Sequence, residues 1–328
     1  MYFISDYEKQ YMKALIDIYN NGFSDGVNER THYETKRLPG IVMTVDVEKE
    51  FPILKSKFVA AKTAQREIEW IWKQQSAKLC DLKAKIWDSW ADEEGTIGKA
   101  YGYQMAQPVK IFTDPIHKTP ESYREYANQA EFVIEYLSEF PNGRWANTTL
   151  WNVSELKDMN LVPCCHTSTW NLDGGRLNCV LDQRSGDMPY GVPFNTTQYA
   201  ELICMIAKEL DVKPGILTHV IADAHIYGNQ MEGVKEQIRY WELMKLVESS
   251  SKVDSNSETK ALMTEFLIEE LIRNEFGNET FEHCVDVLES VPRFEIYTDK
   301  PFFEYTADDC KVEDYKYMAK ISFGDVAV

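Results

Sequence analysis

The chain has 328 residues and a formal net charge of −18, with 44% hydrophobic and 27% charged residues. That length allows one large domain or two small ones, and the composition is that of an ordinary globular protein. The acidic balance and the lack of a basic patch argue against a duplex nucleic-acid binder, so an anionic ligand would need local arginines held against the global field.

The opening MYFISDYEKQ is mixed and polar, unlike a secretory leader, and no run approaches the ~18 apolar residues of a membrane span. Residues 7–20 carry apolar side chains at helical spacing, and Asn21-Gly22 ends the run. Residues 39–57 are β-branched in character and predict a strand and turn. Residues 58–77 predict a long helix with an aromatic face at Trp70 and Trp72. Pro120 suits a first helical position, which predicts a helix over 120–139. Leu177–Leu181 predicts a short strand, and a helix follows over 194–211, stopped by Lys213-Pro214-Gly215. Residues 216–222 predict a further strand. The turn-rich stretch 249–260 predicts an exposed loop, followed by an acidic amphipathic helix near 261–276. There is no internal repeat. Helices and strands mix without a βαβ rhythm, so the expected class is α+β rather than a Rossmann sheet. Dinucleotide, P-loop and hydrolase-elbow motifs are all missing.

The seven cysteines are odd in number, with no CxxC pair and no His/Cys cluster at zinc spacing. Reduced thiols in a cytoplasmic protein, with no metal, are the natural expectation. Eight Trp, 18 Tyr and 15 Phe can fill a core more readily than they line a pocket. Four constellations can carry chemistry. Pro163-Cys164-Cys165-His166 offers a nucleophilic thiol or a buried structural one. Gln183-Arg184-Ser185-Gly186-Asp187 has the groups that hold a phosphate, or form a surface turn. Asn195, in Pro193-Phe194-Asn195, offers an amide donor and acceptor that suit a uracil edge, or a helix N-cap. In a strand, Asp223, His225 and Tyr227 would share one face.

Together these pieces resemble the thymidylate synthase family, in order and in spacing, through LWNVSELKDMNLVPCC, GGRLNCVLDQRSGDMPYGVPFN and DAHIY. Upstream, NERT, FPILKSK, REIEW and IWDSWADEEGTIGKAYG are also similar to family segments. The likeness is greatest to a divergent branch found in some Gram-positive bacteria and their phages. It runs from about residue 7 to the C-terminus, apart from an insertion around 245–290.

The resemblance implies a single domain built on a large, mixed, twisted sheet flanked by helices, in a homodimer packed sheet to sheet. It implies methylation of dUMP to dTMP with 5,10-methylenetetrahydrofolate as co-substrate. Cys164 would add to C6 of the uracil, Glu67 would run a proton network, and Tyr101 would sit near the thiol. Asn195 would bind the pyrimidine edge. Arg30, Arg184, Ser185 and a partner-supplied Arg144 would hold the phosphate, and His225 and Tyr227 the deoxyribose hydroxyl. Trp87, Trp90 and Asp187 would contact the folate, and the Val328 terminal carboxylate would help close the site.

Four departures stand out. Cys165 replaces the family's histidine after the nucleophile, and Trp145 replaces the second arginine of an Arg-Arg pair. Arg30-Thr31-His32-Tyr33 replaces an Arg-Thr-Gly-Thr loop. Glu69 replaces an apolar residue, as in hydroxymethylase relatives. The alternative outcome is therefore dUMP hydroxymethylation, in which water captures the methylene and tetrahydrofolate is released. A shifted Cys165-His166 pair is disfavoured, because the ungapped match from Pro163 to Asn195 puts Cys164 in register. A nucleotide- or RNA-binding relative without catalysis is the rival from another class.

Overall fold

A computed structural model describes residues 2–250, 266–267, 269–271, 274 and 278–326. Helix α1 (Asp6–Asn21) begins where the Ser5 hydroxyl accepts the Glu8 N–H at 3.1 Å. It stops at Gly22, where a Cβ would meet the Ile18 carbonyl oxygen at 2.5 Å. Its buried face includes Tyr7, Tyr11, Met12, Leu15 and Ile18, the stripe the spacing predicts. Strands β1 (Phe23–Val27) and β2 (Glu34–Asp46) follow.

The predicted 58–77 helix is two pieces. Helix α2 (Ala61–Glu69) widens into a π-turn over Trp70–Gln74. Trp70 and Trp72 are wholly buried, and Trp72 meets Trp170 edge-on at 5.5 Å between ring centres. Short helices α3 (Leu79–Leu82) and α4 (Gly102–Met105) flank an irregular stretch.

The predicted helix at 120–139 needs correction. Pro120 opens only a 3₁₀ turn, and β4 (Tyr123–Tyr126) pairs with β3 (Val109–Phe112). Helix α5 (Gln129–Glu139) starts where Asn128 accepts the Glu131 N–H at 2.8 Å. A local cap outweighs proline preference here.

Strands β5 (Asn147–Thr149), β6 (Cys165–Asp173), β7 (Arg176–Gln183) and β8 (Gly186–Asp187) lead to α6 (Gly191–Glu209), three residues earlier than expected. Lys213-Pro214-Gly215 opens β9 (Lys213–Tyr227), a strand far longer than the predicted 216–222. The sheet order is β1-β2-β9-β7-β6-β5, with β8 also on β9. Strand β9 is antiparallel to β2 and parallel to β7 and β8, so the sheet is mixed and the class is α+β. Helices α1 and α6 pack on one face. Alternation leaves Val42 exposed and Val180, Thr218 and Val220 partly exposed on the other.

Helix α7 (Met231–Ser250) takes in the first two residues of the predicted 249–260 loop. The rest of that loop lies outside the described residues, as does much of the predicted helix near 261–276. Of that stretch, 266–267, 269–271 and 274 are helical. Helix α8 (Asn278–Glu289) and the hairpin of β10 (Arg293–Ile296) and β11 (Cys310–Glu313) complete the chain. Lys55, 2% exposed, ties α8 to the core: its Nζ donates to Phe3 O at 2.9 Å and Ser290 O at 3.0 Å.

Candidate active site

The register of β6 on β7 pairs Cys165 with Gln183, and just beyond this pair the Arg184 N–H donates to the Cys164 carbonyl at 2.9 Å. Cys164 is half-buried. Its own N–H donates to the Tyr101 phenol oxygen at 2.9 Å. Arg184 Nη2 lies 3.9 Å from the Cys164 Sγ, and its fork also donates to Pro163 O at 3.0 Å and Val162 O at 2.6 Å. One guanidinium thus grips the loop that carries the thiol and supplies its nearest positive charge. Burial pushes the thiol above its ordinary value, while Arg184, the Tyr101 hydrogen bond and Arg30 pull it back.

Beside the thiol, Glu67, Trp87, Tyr101, Cys165, Asn195 and Gln198 line one cavity. Trp87 Nε1 donates to Glu67 Oε1, and Gln198 Nε2 donates to Glu67 Oε2 at 2.5 Å. Burial raises the Glu67 carboxyl, and these two bonds work against that rise. Trp87 stacks edge-on with Tyr101 at 5.1 Å and with Trp90 at 5.3 Å. Tyr101 has φ +42, a backbone strain held in place as the phenol reaches the Cys164 amide.

Asn195 lies inside the first turns of α6 rather than at its cap. Its Nδ2 donates to Gln198 Oε1 at 3.1 Å and its Oδ1 accepts from Gln183 Nε2 at 3.2 Å. Sequence reasoning gave no role to Gln183 or Gln198, and Cys165, read there as a departure from the family pattern, lines the cavity. Gln183 adjoins Arg184 within the quoted motif, and Gln198 stands one helical turn after Asn195, the only signals available.

On the far side, His225 and Tyr227 share a face of β9 with ring centres 4.8 Å apart. Asp223 lies on the same face, with its carboxylate 3.8 Å from Arg37, the residue paired with His225. Burial pushes the Tyr227 phenol up to about 12, with Arg30 opposing. Asp187 is half-buried and raised by desolvation, and accepts from Gln230 Nε2 at 2.9 Å and the Tyr190 N–H at 3.1 Å. Ser185 contributes its carbonyl to Gln183 at 2.8 Å.

Arg30 is exposed in a loop that Asn28 closes, accepting the Arg30 and Thr31 amides at 3.0 and 3.1 Å. His32, in place of the family's glycine, takes φ +57, a conformation that glycine adopts freely. Arg144 is exposed between α5 and β5 and does not line the cavity. Val328 lies outside the described residues. Within the described C-terminal segment, Gly324 O accepts from Tyr190 Oη at 2.8 Å, and Phe323 packs edge-on against Tyr190.

His166 bonds Thr167 Oγ1 at 2.9 Å and packs edge-on against Trp151. Glu69 accepts the Ala307 N–H at 2.6 Å and lines a separate cavity, away from Glu67.

The thymidylate synthase family profile matches residues 9–275. A thymidylate synthase of Clostridium beijerinckii is 37% identical over 99% of this chain and 100% of its own length. That of Bacillus phage phi3T is 34% identical over 72% of this chain and 84% of its own. The solved structure of a thermostable thymidylate synthase A from Bacillus subtilis superposes with a TM-score of 0.73 at 29% identity, covering 98% of this chain and 99% of that one. Fold, motif order and these relatives agree, and the chain belongs to the thymidylate synthase family.

Proposed function

We propose that the protein methylates dUMP to dTMP with 5,10-methylenetetrahydrofolate. The observation that supports this reading is that Cys164, beside Arg184, donates its N–H to Tyr101, which lines one cavity with Glu67 and Asn195. In this reading Cys164 adds to C6 of the uracil, which makes C5 a carbon nucleophile. Glu67 moves protons at the pyrimidine carbonyl, and Asn195 binds the O4/N3 edge. Tyr101 lies beside the carbon that loses its proton. Arg30, Arg184 and Ser185 hold the phosphate, with Arg144 of the partner subunit, and His225 and Tyr227 hold the sugar. The folate supplies the one-carbon unit and then the hydride; Trp87, Trp90 and Asp187 hold it, and Val328 helps exclude water.

The exposed face of the sheet, with Val42 and Val220, is the surface assigned to the homodimer. A single domain elaborated around 245–290 and a cytoplasmic location complete the proposal. No helix among the described residues is long and apolar enough to cross a membrane.

The test is incubation with dUMP and the folate, resolving products by mass. Thymidylate with stoichiometric dihydrofolate is expected. Hydroxymethyl-dUMP with intact tetrahydrofolate would replace the synthase with a hydroxymethylase, and no product from a folded protein would refute both. Cys164→Ser is expected to abolish turnover while dUMP still binds; retained turnover, with loss in Cys165→Ser, would move the nucleophile by one residue.

A further inference from the structure

Six polar side chains form one continuous hydrogen-bonded relay through the floor of the cavity. From the far end, Thr196 Oγ1 lies 3.0 Å from His219 Nδ1, and His219 Nε2 lies 2.7 Å from Gln183 Oε1. Gln183 then donates to Asn195, Asn195 to Gln198, and Gln198 to Glu67.

The direction of the relay is forced. Backbone carbonyls only accept. Gln198 Nε2 donates to Ala64 O at 3.2 Å, and Gln183 Nε2 donates to Ser185 O at 2.8 Å. Both glutamine amides are therefore fixed by the main chain, whatever the charge on Glu67. The Gln198 oxygen must then face Asn195 and accept from it. The Gln183 oxygen must accept from His219 Nε2–H, and at the far end the Thr196 hydroxyl donates to Val192 O at 2.8 Å. Burial pushes His219 down to about 3, which favours the neutral ring.

Asn195 is left with one unused N–H and one unused oxygen lone pair, beside the cavity. A ring edge with adjacent C=O and N–H groups matches that pair. A ring edge with an amino group beside an unprotonated nitrogen matches only the flipped amide, which would set like groups against Gln183 and Gln198. We propose that Gln198 is a specificity-determining positioning residue: it holds the Asn195 amide in the orientation that accepts uracil and refuses cytosine, and it couples that orientation to Glu67. This assignment rests on the dUMP reading given above.

The experiment measures dissociation constants for dUMP and dCMP, and the pH profile of kcat/KM, in the parent, Gln198→Met and Gln198→Glu proteins, with melting curves to confirm folding. In Gln198→Met the preference for dUMP should fall about tenfold, the worth of one hydrogen bond lost from the locked orientation. The acid limb of the profile should move to higher pH, because Glu67 loses a donor that favours its charged form. Gln198→Glu keeps an acceptor for Asn195 and loses the donor to Glu67. Its preference should stay within about twofold of the parent's while its acid limb also shifts. Unchanged preference in a folded Gln198→Met, or equal weakening of both nucleotides with an unmoved limb, overturns the assignment alone. A parent that binds neither nucleotide overturns the dUMP reading and this assignment with it.

Discussion

Replacing Arg184 with Met should raise the Cys164 thiol further above its ordinary value. The guanidinium stands 3.9 Å from Sγ. At that separation a charge pair is worth ~1 kcal/mol in water and ~4 kcal/mol at the dielectric of a protein surface. Both groups are partly exposed, so solvent screening favours the low end, ~1–2 kcal/mol. That corresponds to about one pKa unit, and about tenfold less thiolate at neutral pH. The assay is the pH dependence of Cys164 alkylation, resolved by mass spectrometry because Cys80 is exposed and will also react. Cys165 is buried and pushed well up, so it should stay silent. Arg184→Lys should recover part of the lost rate, since it restores charge without the fork that grips Pro163 and Val162. An alkylation profile in Arg184→Met that overlays the parent's would refute the claim that this arginine activates the thiol.

Two further expectations concern stability. Lys55→Met leaves the Phe3 and Ser290 carbonyls without their charged donor, and should cost about 3 kcal/mol or more in urea unfolding; a loss under ~1 kcal/mol would show that Lys55 does not fasten α8. Glu201 on α6 is wholly buried, and burial raises it well above its ordinary value of 4.5, with Gln65 and Lys62 opposing the rise. A carboxyl raised in the fold stabilises fully below its unfolded value, and that contribution is lost as pH climbs towards the folded one. Glu201→Gln mimics the neutral acid, so the variant should gain on the parent by ~1–3 kcal/mol in the charge-favouring range, more at about pH 8 than at about pH 5. A difference that does not change with pH would mean that Glu201 is not the titrating group.

Local rules were enough for some elements. Apolar spacing located α1, and the apolar run Leu177–Leu181 located the middle of β7. They failed where partners decide. Tyr123–Tyr126 became a strand because β3 lies beside it, and the predicted stop at Lys213-Pro214-Gly215 became a strand start between β7 and β2.

The order and spacing of chemical groups along the chain determined the family, and with it the mixed sheet, because those motifs are contiguous. Only the tertiary structure decided that Gln183 and Gln198 hold Asn195, that Asp223 pairs with Arg37, and that Glu69 faces away from Glu67. Those contacts join residues far apart in sequence, or turn on which way an amide or a carboxylate points. A one-dimensional pattern records which groups are present; their direction is set by the carbonyls, charges and neighbouring strands that packing brings against them.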